Sequence, residues 1–158
     1  MCYEVGMAAS ASSFPQLRVN QVSGAIISCA MHVHSVLGPG LLESAYQDCL
    51  VHELRKRGLD VASQTGLPVV FDGEKIELGY RIDLIVENLV IVEVTSVEAI
   101  HPPGSSSSAF VVHAAERDRV GLLINFYVLH LRNGIKRMVD GKNWERQVYP
   151  VFPLRPPC

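Results

Sequence analysis

Two carboxylates interrupt a pair of otherwise apolar, β-rich runs. Asp83 lies in Tyr80-Arg81-Ile82-Asp83-Leu84-Ile85-Val86, and Glu93 lies in Val90-Ile91-Val92-Glu93-Val94-Thr95. A carboxylate among branched side chains is costly unless it is paired, hydrogen-bonded or bound to a metal. Alternation along a strand sets Arg81 and Asp83 on one face of the first run, and Glu93 and Thr95 on one face of the second. The polar Glu87-Asn88 step between the runs predicts an antiparallel hairpin. For Asp83 and Glu93 to share a face, residue 83 must pair with an odd-numbered residue. That requires an odd-length turn or a bulge in place of a tight two-residue turn. Two oxygen ligands converging in this way suit Mg²⁺, which is held by few carboxylates and keeps several waters. Such an ion polarises a phosphodiester and makes hydroxide available near neutral pH. The simpler reading of the spacing is an Arg81–Asp83 ion pair with Glu93 at a solvent-facing strand end. On spacing alone that reading is favoured.

The surrounding chain supplies the elements that must position these groups. Residues 1–20 are rich in Ala and Ser and read as a flexible N-terminal arm. From Val22, apolar residues through Ile26, Ile27, Ala30, Met31, His34 and Leu37 recur at helical intervals, until Gly38-Pro39-Gly40 stops the helix. A second helix is predicted from about Leu42 to Arg57, with Tyr46, Cys49, Leu50 and Leu54 as its apolar stripe. Arg55, Lys56 and Arg57 crowd its last turn, where positive charge complements the helix dipole. Strands are then predicted at Leu67–Phe71, Lys75–Leu78, Tyr80–Val86, Leu89–Val94, Gly121–Tyr127 and Ile135–Val139. The near-continuous apolar character of Gly121–Tyr127 suits a central strand. The loop from Pro102 to Ser108 is followed by a short predicted helix at about Ala109–Arg117. Residues 140–158 hold Trp144, Tyr149 and Phe152 among prolines and read as a tail.

Composition narrows the function classes. With 48% hydrophobic and 19% charged residues in 158, the chain is long and apolar enough for one folded domain. The net charge of −2 gives no global attraction to nucleic acid or anionic lipid, so any such contact needs a local patch. No apolar run is long enough to span a bilayer, and no basic segment followed by an apolar one suggests a secretory signal. Cys2, Cys29, Cys49 and Cys158 form no CxxC pair, which fits a reducing, cytoplasmic compartment. The histidines show no zinc spacing. There is no phosphate-binding glycine loop, and Ser105 to Ser108 form no nucleophile elbow.

Several motifs in order carry a resemblance. Gly40-Leu-Leu-Glu43-Ser-Ala-Tyr46 follows Leu-Gly-Pro-Gly; then come Gly79-Tyr80-Arg81-Ile82-Asp83, Ile91-Val92-Glu93, Gly121-Leu-Leu-Ile-Asn125-Phe126 and Gly134-Ile-Lys136-Arg137. This set, over roughly Val22 to Val139, resembles the GxxExxY branch of the PD-(D/E)XK nuclease-like superfamily. The resemblance implies an α/β, restriction-endonuclease-like mixed sheet flanked by helices, as a domain over residues 21–139. It further implies that Asp83 and Glu93 are the acidic, metal-binding positions, with Glu43 as an added helix carboxylate. Mg²⁺ would be the cofactor, nucleic acid the substrate, and hydrolysis the reaction. For Glu43 the alternative is a first-turn acid that stabilises its own helix, with Tyr46 simply in the core. The family pattern continues Glu-x-Lys, whereas position 95 is threonine here. The His and Gln expected after it give way to His101, prolines, glycine and serines. Arg81 and Lys75 are the nearest cations in sequence that could stand in for the lysine. The resemblance therefore supports either a weakened metal-dependent nuclease or a module that binds nucleic acid or a protein partner without cutting. Oligomeric state is open.

Overall fold

A computed structural model describes residues 13–98 and 120–138. The elements run α1 (Ser13–Leu37), α2 (Glu43–Lys56), β1 (Val61–Phe71), β2 (Glu74–Val86), β3 (Val90–Thr95), β4 (Val120–Asn125), a 3₁₀ turn (Leu131–Gly134) and β5 (Ile135–Met138). The strands form one sheet in the order β1-β2-β3-β4-β5. Only β3 and β4 run parallel; the other three neighbouring pairs are antiparallel. This is the mixed α/β sheet expected from the sequence. The helix expected near Ala109–Arg117 and the two terminal cysteines lie outside the described residues.

Burial follows the two-residue alternation of the strands. Leu84, Val86, Val90, Val92, Val94, Val120, Leu122 and Ile124 share one face and pack with Val22, Ile26, Ala30, Val33, Tyr46, Leu50 and Leu54 of the helices. The opposite face carries Asp83, Ile85, Ile91, Glu93, Thr95 and Leu123. Cys29 is buried and Cys49 half-buried, both as free thiols.

Three elements differ from the sequence reading. α1 starts at Ser13, so the segment Ser13–Asn20, read as arm, is helical. Its turns are held partly from outside: Arg18 pairs with Glu87 at 3.1 Å, and Arg137 donates to Asn20 at 2.6 Å. β1 begins at Val61 rather than Leu67, and the two short segments expected at Lys75–Leu78 and Tyr80–Val86 are one strand. Local composition could not reveal this, because Ser63 and Thr65 are held by pairing to β2 rather than by an apolar pattern of their own. Gln64 takes a positive φ of 53°, a local irregularity in the strand.

The chain reverses tightly at three points that matter for the site. Gly38 (φ 67°) and Gly40 (φ 103°) turn the chain between the helices, with Gly38 N–H closing α1 onto the His34 carbonyl at 2.8 Å. α2 ends in the paired hydrogen bonds of a Schellman closure, Gly58 to Arg55 at 2.9 Å and Leu59 to Leu54 at 3.2 Å. Arg55 also donates to the Val61 carbonyl at 3.0 Å and Lys56 lies 3.6 Å from Glu53, which fits their structural reading. At Gly134 the 3₁₀ turn folds back onto the end of β4, where a Cβ would sit 2.2 Å from the Asn125 carbonyl oxygen. No helix among the described residues is long and apolar enough to cross a membrane.

The Gly134 contact is with backbone, which cannot rotate away. Gly134→Ala is expected to lose about 1–3 kcal/mol, as forced overpacking does, and to melt lower by roughly 2–4 °C for each kcal/mol. An unchanged thermal melt would show that β5 can shift to admit the methyl group.

Candidate functional site

The geometry starts from the β2–β3 turn. Val86 pairs with Val90, Ile85 with Ile91 and Leu84 with Val92, so three residues, Glu87, Asn88 and Leu89, make the turn. This is the odd-length turn that a shared face requires. Glu87 and Asn88 both take positive φ (52° and 55°), and Leu89 N–H returns to the Val86 carbonyl at 3.0 Å. The Glu87 carboxylate accepts from Asp60 N–H at 2.7 Å and from Arg18, contacts that hold the turn and draw its carboxyl below the ordinary range.

Continued by one step, the same register sets Asp83 opposite Glu93. The regular ladder stops there. Val94 N–H donates to Asp83 Oδ2 at 2.8 Å, so a side-chain carboxylate receives a strand N–H at the point where β2 and β3 part. The Asp83 carbonyl accepts instead from Gln47 Nε2 of α2 at 3.4 Å. Beyond the fork β2 stays with β1, through Ile82↔Thr65 and Arg81↔Gly66, and runs on as a two-stranded arm. Gln64 Nε2 approaches Asp83 Oδ1 at 3.4 Å from that arm.

Burial pushes the Asp83 carboxyl above its ordinary range. The Val94 N–H opposes this, the charge of Glu43 adds to it, and Gln64 opposes it. Asp83 is therefore a desolvated carboxylate facing a second negative charge. Glu93 is half-buried on the same face and is not without a partner.

Glu43 reaches this strand end from the first turn of α2. Its Oε1 accepts from Thr95 Oγ1 at 3.0 Å and from Ser96 N–H at 3.2 Å, while Ser96 Oγ donates to the Leu41 carbonyl at 2.8 Å. Leu41, Leu42, Glu43, Ser44 and Ser96 line a concavity of about 430 Å³. Tyr46, one helical turn on, fixes the approach. It is fully buried and stacked on Phe126 at 4.4 Å. Its hydroxyl donates to the Gly38 carbonyl in a short hydrogen bond and accepts from Leu41 N–H at 3.1 Å. Tyr46 is thus core and loop clamp together, and Glu43 bonds to another strand rather than only to its own helix.

Asn125 completes the neighbouring strand end. Its side chain accepts from Val97 and Tyr127 N–H at 3.2 and 3.1 Å and donates to the Val97 carbonyl at 2.8 Å. Phe126 N–H bonds the Thr95 carbonyl at 2.8 Å. In the sequence Asn125 stands only as part of a motif, with no task attached. A polar residue at the end of an apolar strand was the available signal.

The stand-in cations do not fit as expected. No ion pair joins Arg81 to Asp83, because Asp83 is bonded to Val94 and Gln64 and Arg81 is exposed on the strand leaving the fork. Lys75 pairs with Glu77 at 3.1 Å. Eight residues of strand separate it from Asp83, roughly 25 Å. His34 and His130, read separately in sequence, line one concavity of about 470 Å³ with Arg132 near the 3₁₀ turn. The His34 ring nitrogen lies 2.8 Å from the Val128 carbonyl.

The class defined here is a restriction-endonuclease-like α/β fold whose carboxylates gather where its sheet divides. The chain belongs to the PD-(D/E)XK nuclease superfamily, whose family model matches residues 20–138. No curated protein and no solved structure matches the chain.

Enzymes of this superfamily generally use divalent metals. Among the described residues no group of three or more His, Cys, Asp or Glu side chains is placed to hold one. Two carboxylates on one row, one of them raised by burial beside a third acid, still fit an ion that takes few protein oxygens and completes its shell with water and substrate.

The raised Asp83 value has a signed consequence for stability. The unfolded value is near 3.9, and a folded value above it gives stability that is full at lower pH and is lost as pH rises through the folded value. Asp83→Asn keeps an acceptor for Val94 N–H and removes the ionisation. In metal-free buffer its melting temperature should gain on wild type as pH rises above about 4 and then level off. Glu87, lowered in both proteins, cancels in the comparison. A gap that stays constant with pH would mean that Asp83 ionises freely in the fold.

Proposed function

We propose that this domain is a member of the GxxExxY branch that binds nucleic acid and hydrolyses its phosphodiesters weakly with Mg²⁺. The observation that carries the reading is the fork. The register directs Asp83 and Glu93 to one row, and the Val94–Asp83 bond opens the sheet beside them. Asp83 and Glu93 are the residues that would hold the metal, and Glu43 is the acid that would assist at the strand end. When bound, the ion would polarise the phosphoryl group and supply a nucleophile near neutral pH. Val94 N–H and Gln64 orient the Asp83 carboxylate, and Tyr46 fixes the turn that delivers Glu43.

Weak activity follows from Thr95. The position that carries lysine in the family motif has a neutral hydroxyl here, and that hydroxyl is bonded to Glu43. In phosphoryl transfer the protein mainly positions groups and stabilises charge, so a cation removed from the reacting phosphate lowers the rate. The same Thr95–Glu43 bond favours a second reading, a module that holds nucleic acid without cutting it.

Metal binding is tested before any substrate is chosen. Calorimetry with Mg²⁺ and Mn²⁺ should give weak affinity, on the order of millimolar for a site with so few protein ligands, and Asp83→Ala should abolish the signal. Equal signals from both proteins would remove the metal site from this reading.

Cleavage is tested with plasmid and single-stranded substrates. Thr95→Lys should raise cutting by about a hundredfold, the size of effect that one preorganised donor has at other sites, and Asp83→Ala in the same background should remove it. A folded, metal-binding Thr95→Lys protein that does not cut would favour the binding module instead.

A further inference from the structure

We propose that Gln64, on β1, is a further metal ligand, giving its side-chain carbonyl oxygen to a divalent ion held at Asp83; the inference rests on the metal site of the reading above. The register places it there. β1 pairs Ser63 with Leu84 and Thr65 with Ile82, and the step between them sets Gln64 opposite Asp83. With Asp83 opposite Glu93, one row over three strands reads Gln64, Asp83, Glu93. Opposed residues of neighbouring strands share a face. The shortest of the three side chains stands in the middle, and the two longer ones start from strands about 4.8 Å away on either side. Such a row lets oxygens meet above its middle strand.

Gln64 is held there against the preference of its backbone. The step from 64 to 83 is left out of the ladder, and Gln64 takes φ 53°, a value rarely adopted by residues other than glycine. Asp72, Glu87 and Asn88, the other described non-glycine residues with positive φ, are in turns. Among the described residues only Gln64 departs in this way inside a strand. Its side chain is turned to the site, with Nε2 3.4 Å from Asp83 Oδ1. The other oxygen, Oδ2, accepts from Val94 N–H at 2.8 Å. Oδ1 thus has the longer bond of the two, and is the oxygen an ion takes at least cost.

A carboxamide suits Asp83 with or without an ion. Facing a bare carboxylate it presents Nε2–H. Half a turn about its last bond exchanges that donor for the acceptor Oε1 in the same place. Two oxygens on adjacent positions of an octahedral ion, each about 2.1 Å from it, lie about 3 Å apart. The amide end already stands near that spacing from Oδ1. The half-turn needs no backbone movement, and it adds a neutral oxygen where a further acid would repel Asp83. Gln47, the other glutamine beside Asp83, is not available for this. It is buried, and it donates to the Asp83 backbone carbonyl from α2.

The test uses the full chain and Mn²⁺ alone, with Gln64→Met, Gln64→Gly and Asp83→Ala, after melts confirm folding. Gln64→Met keeps the length of the side chain and Gln64→Gly suits the backbone conformation; both remove the oxygen. Calorimetry should show Mn²⁺ bound about tenfold more weakly by each. The water-proton relaxation of bound Mn²⁺ separates a ligand from a positioning residue. Each Gln64 variant should carry about one more inner-shell water than wild type, because water takes the place of a lost ligand. Unchanged or tighter binding would overturn the inference, since a side chain that only competes for Asp83 Oδ1 gives that result. Weaker binding with an unchanged water count would also overturn it, as the mark of a residue that only orients Asp83. In both cases, loss of binding in Asp83→Ala leaves the metal site itself standing. Equal binding by wild type and Asp83→Ala, or none by any protein, would remove the site and the inference with it.

Discussion

The hydrogen bond from Val94 N–H to the Asp83 carboxylate is the contact on which the rest of the site depends. A strand N–H must find an acceptor, and in a continuous hairpin a carbonyl of β2 would supply it. Here a carboxylate takes that role, which frees β2 to leave β3 and continue with β1. The bond also fixes the direction of the Asp83 side chain and offsets part of the cost of burying it. A charged acceptor makes this a stronger bond than a neutral carbonyl would, about twice as strong by general experience. The acid is thus structural and chemical together: it ends a ladder and marks where the sheet opens.

The second constraint passes from core to site through Tyr46. Its ring is stacked on Phe126 in the apolar interior, while its hydroxyl holds both sides of the Gly38–Leu41 turn. Phe126 is bonded by its backbone to Thr95, and Thr95 by its side chain to Glu43. Helix, turn, strand end and carboxylate therefore form a closed circuit. A change in ring packing shifts the acid, and a shift of the strand end is felt in the core. Gly40, Glu43 and Tyr46 belong together for this reason: the glycine lets the chain turn, the tyrosine locks the turn, and the glutamate lies between them on the helix.

How much of this was legible in the sequence depended on whether the signal was local. Helix α2, the apolar strands β3 and β4 and the stop at Gly38-Pro39-Gly40 announced themselves by periodicity and turn residues. The parity condition on Asp83 and Glu93 was also readable, because strand alternation is strict; which turn would satisfy it was not. The long β1 was hidden, since its polar first half is a strand only through its partner. The Arg81–Asp83 pair was the natural local guess, and it fails because the competing donor, Val94 N–H, lies eleven residues away on another strand. Residues related by register leave no trace in sequence spacing.

The net charge of −2 conceals a division that the sheet makes physical. Every described Asp and Glu lies between Glu43 and Glu98, on α2 and the first three strands and their connections, whereas α1 and Val120–Met138 have none and hold Arg18, Arg132, Lys136 and Arg137. The change of sign falls at the parallel β3–β4 seam, with Glu93 the last acid on one side and Lys136 the first cation of its row on the other. A phosphodiester presents negative oxygens, and its cleavage by metal-assisted hydrolysis needs anions to hold the ion and cations to face the phosphate. The β4–β5 half has no acid, whereas the β1–β3 half has both signs, its strand cations Lys75 and Arg81 lying on the arm beyond the fork. Composition averaged over the chain erases this division. For a small neutral-to-acidic domain, the place to look for a nucleic-acid site is therefore where acids and cations meet, and here the row through Asp83 and Glu93 runs across the β3–β4 seam.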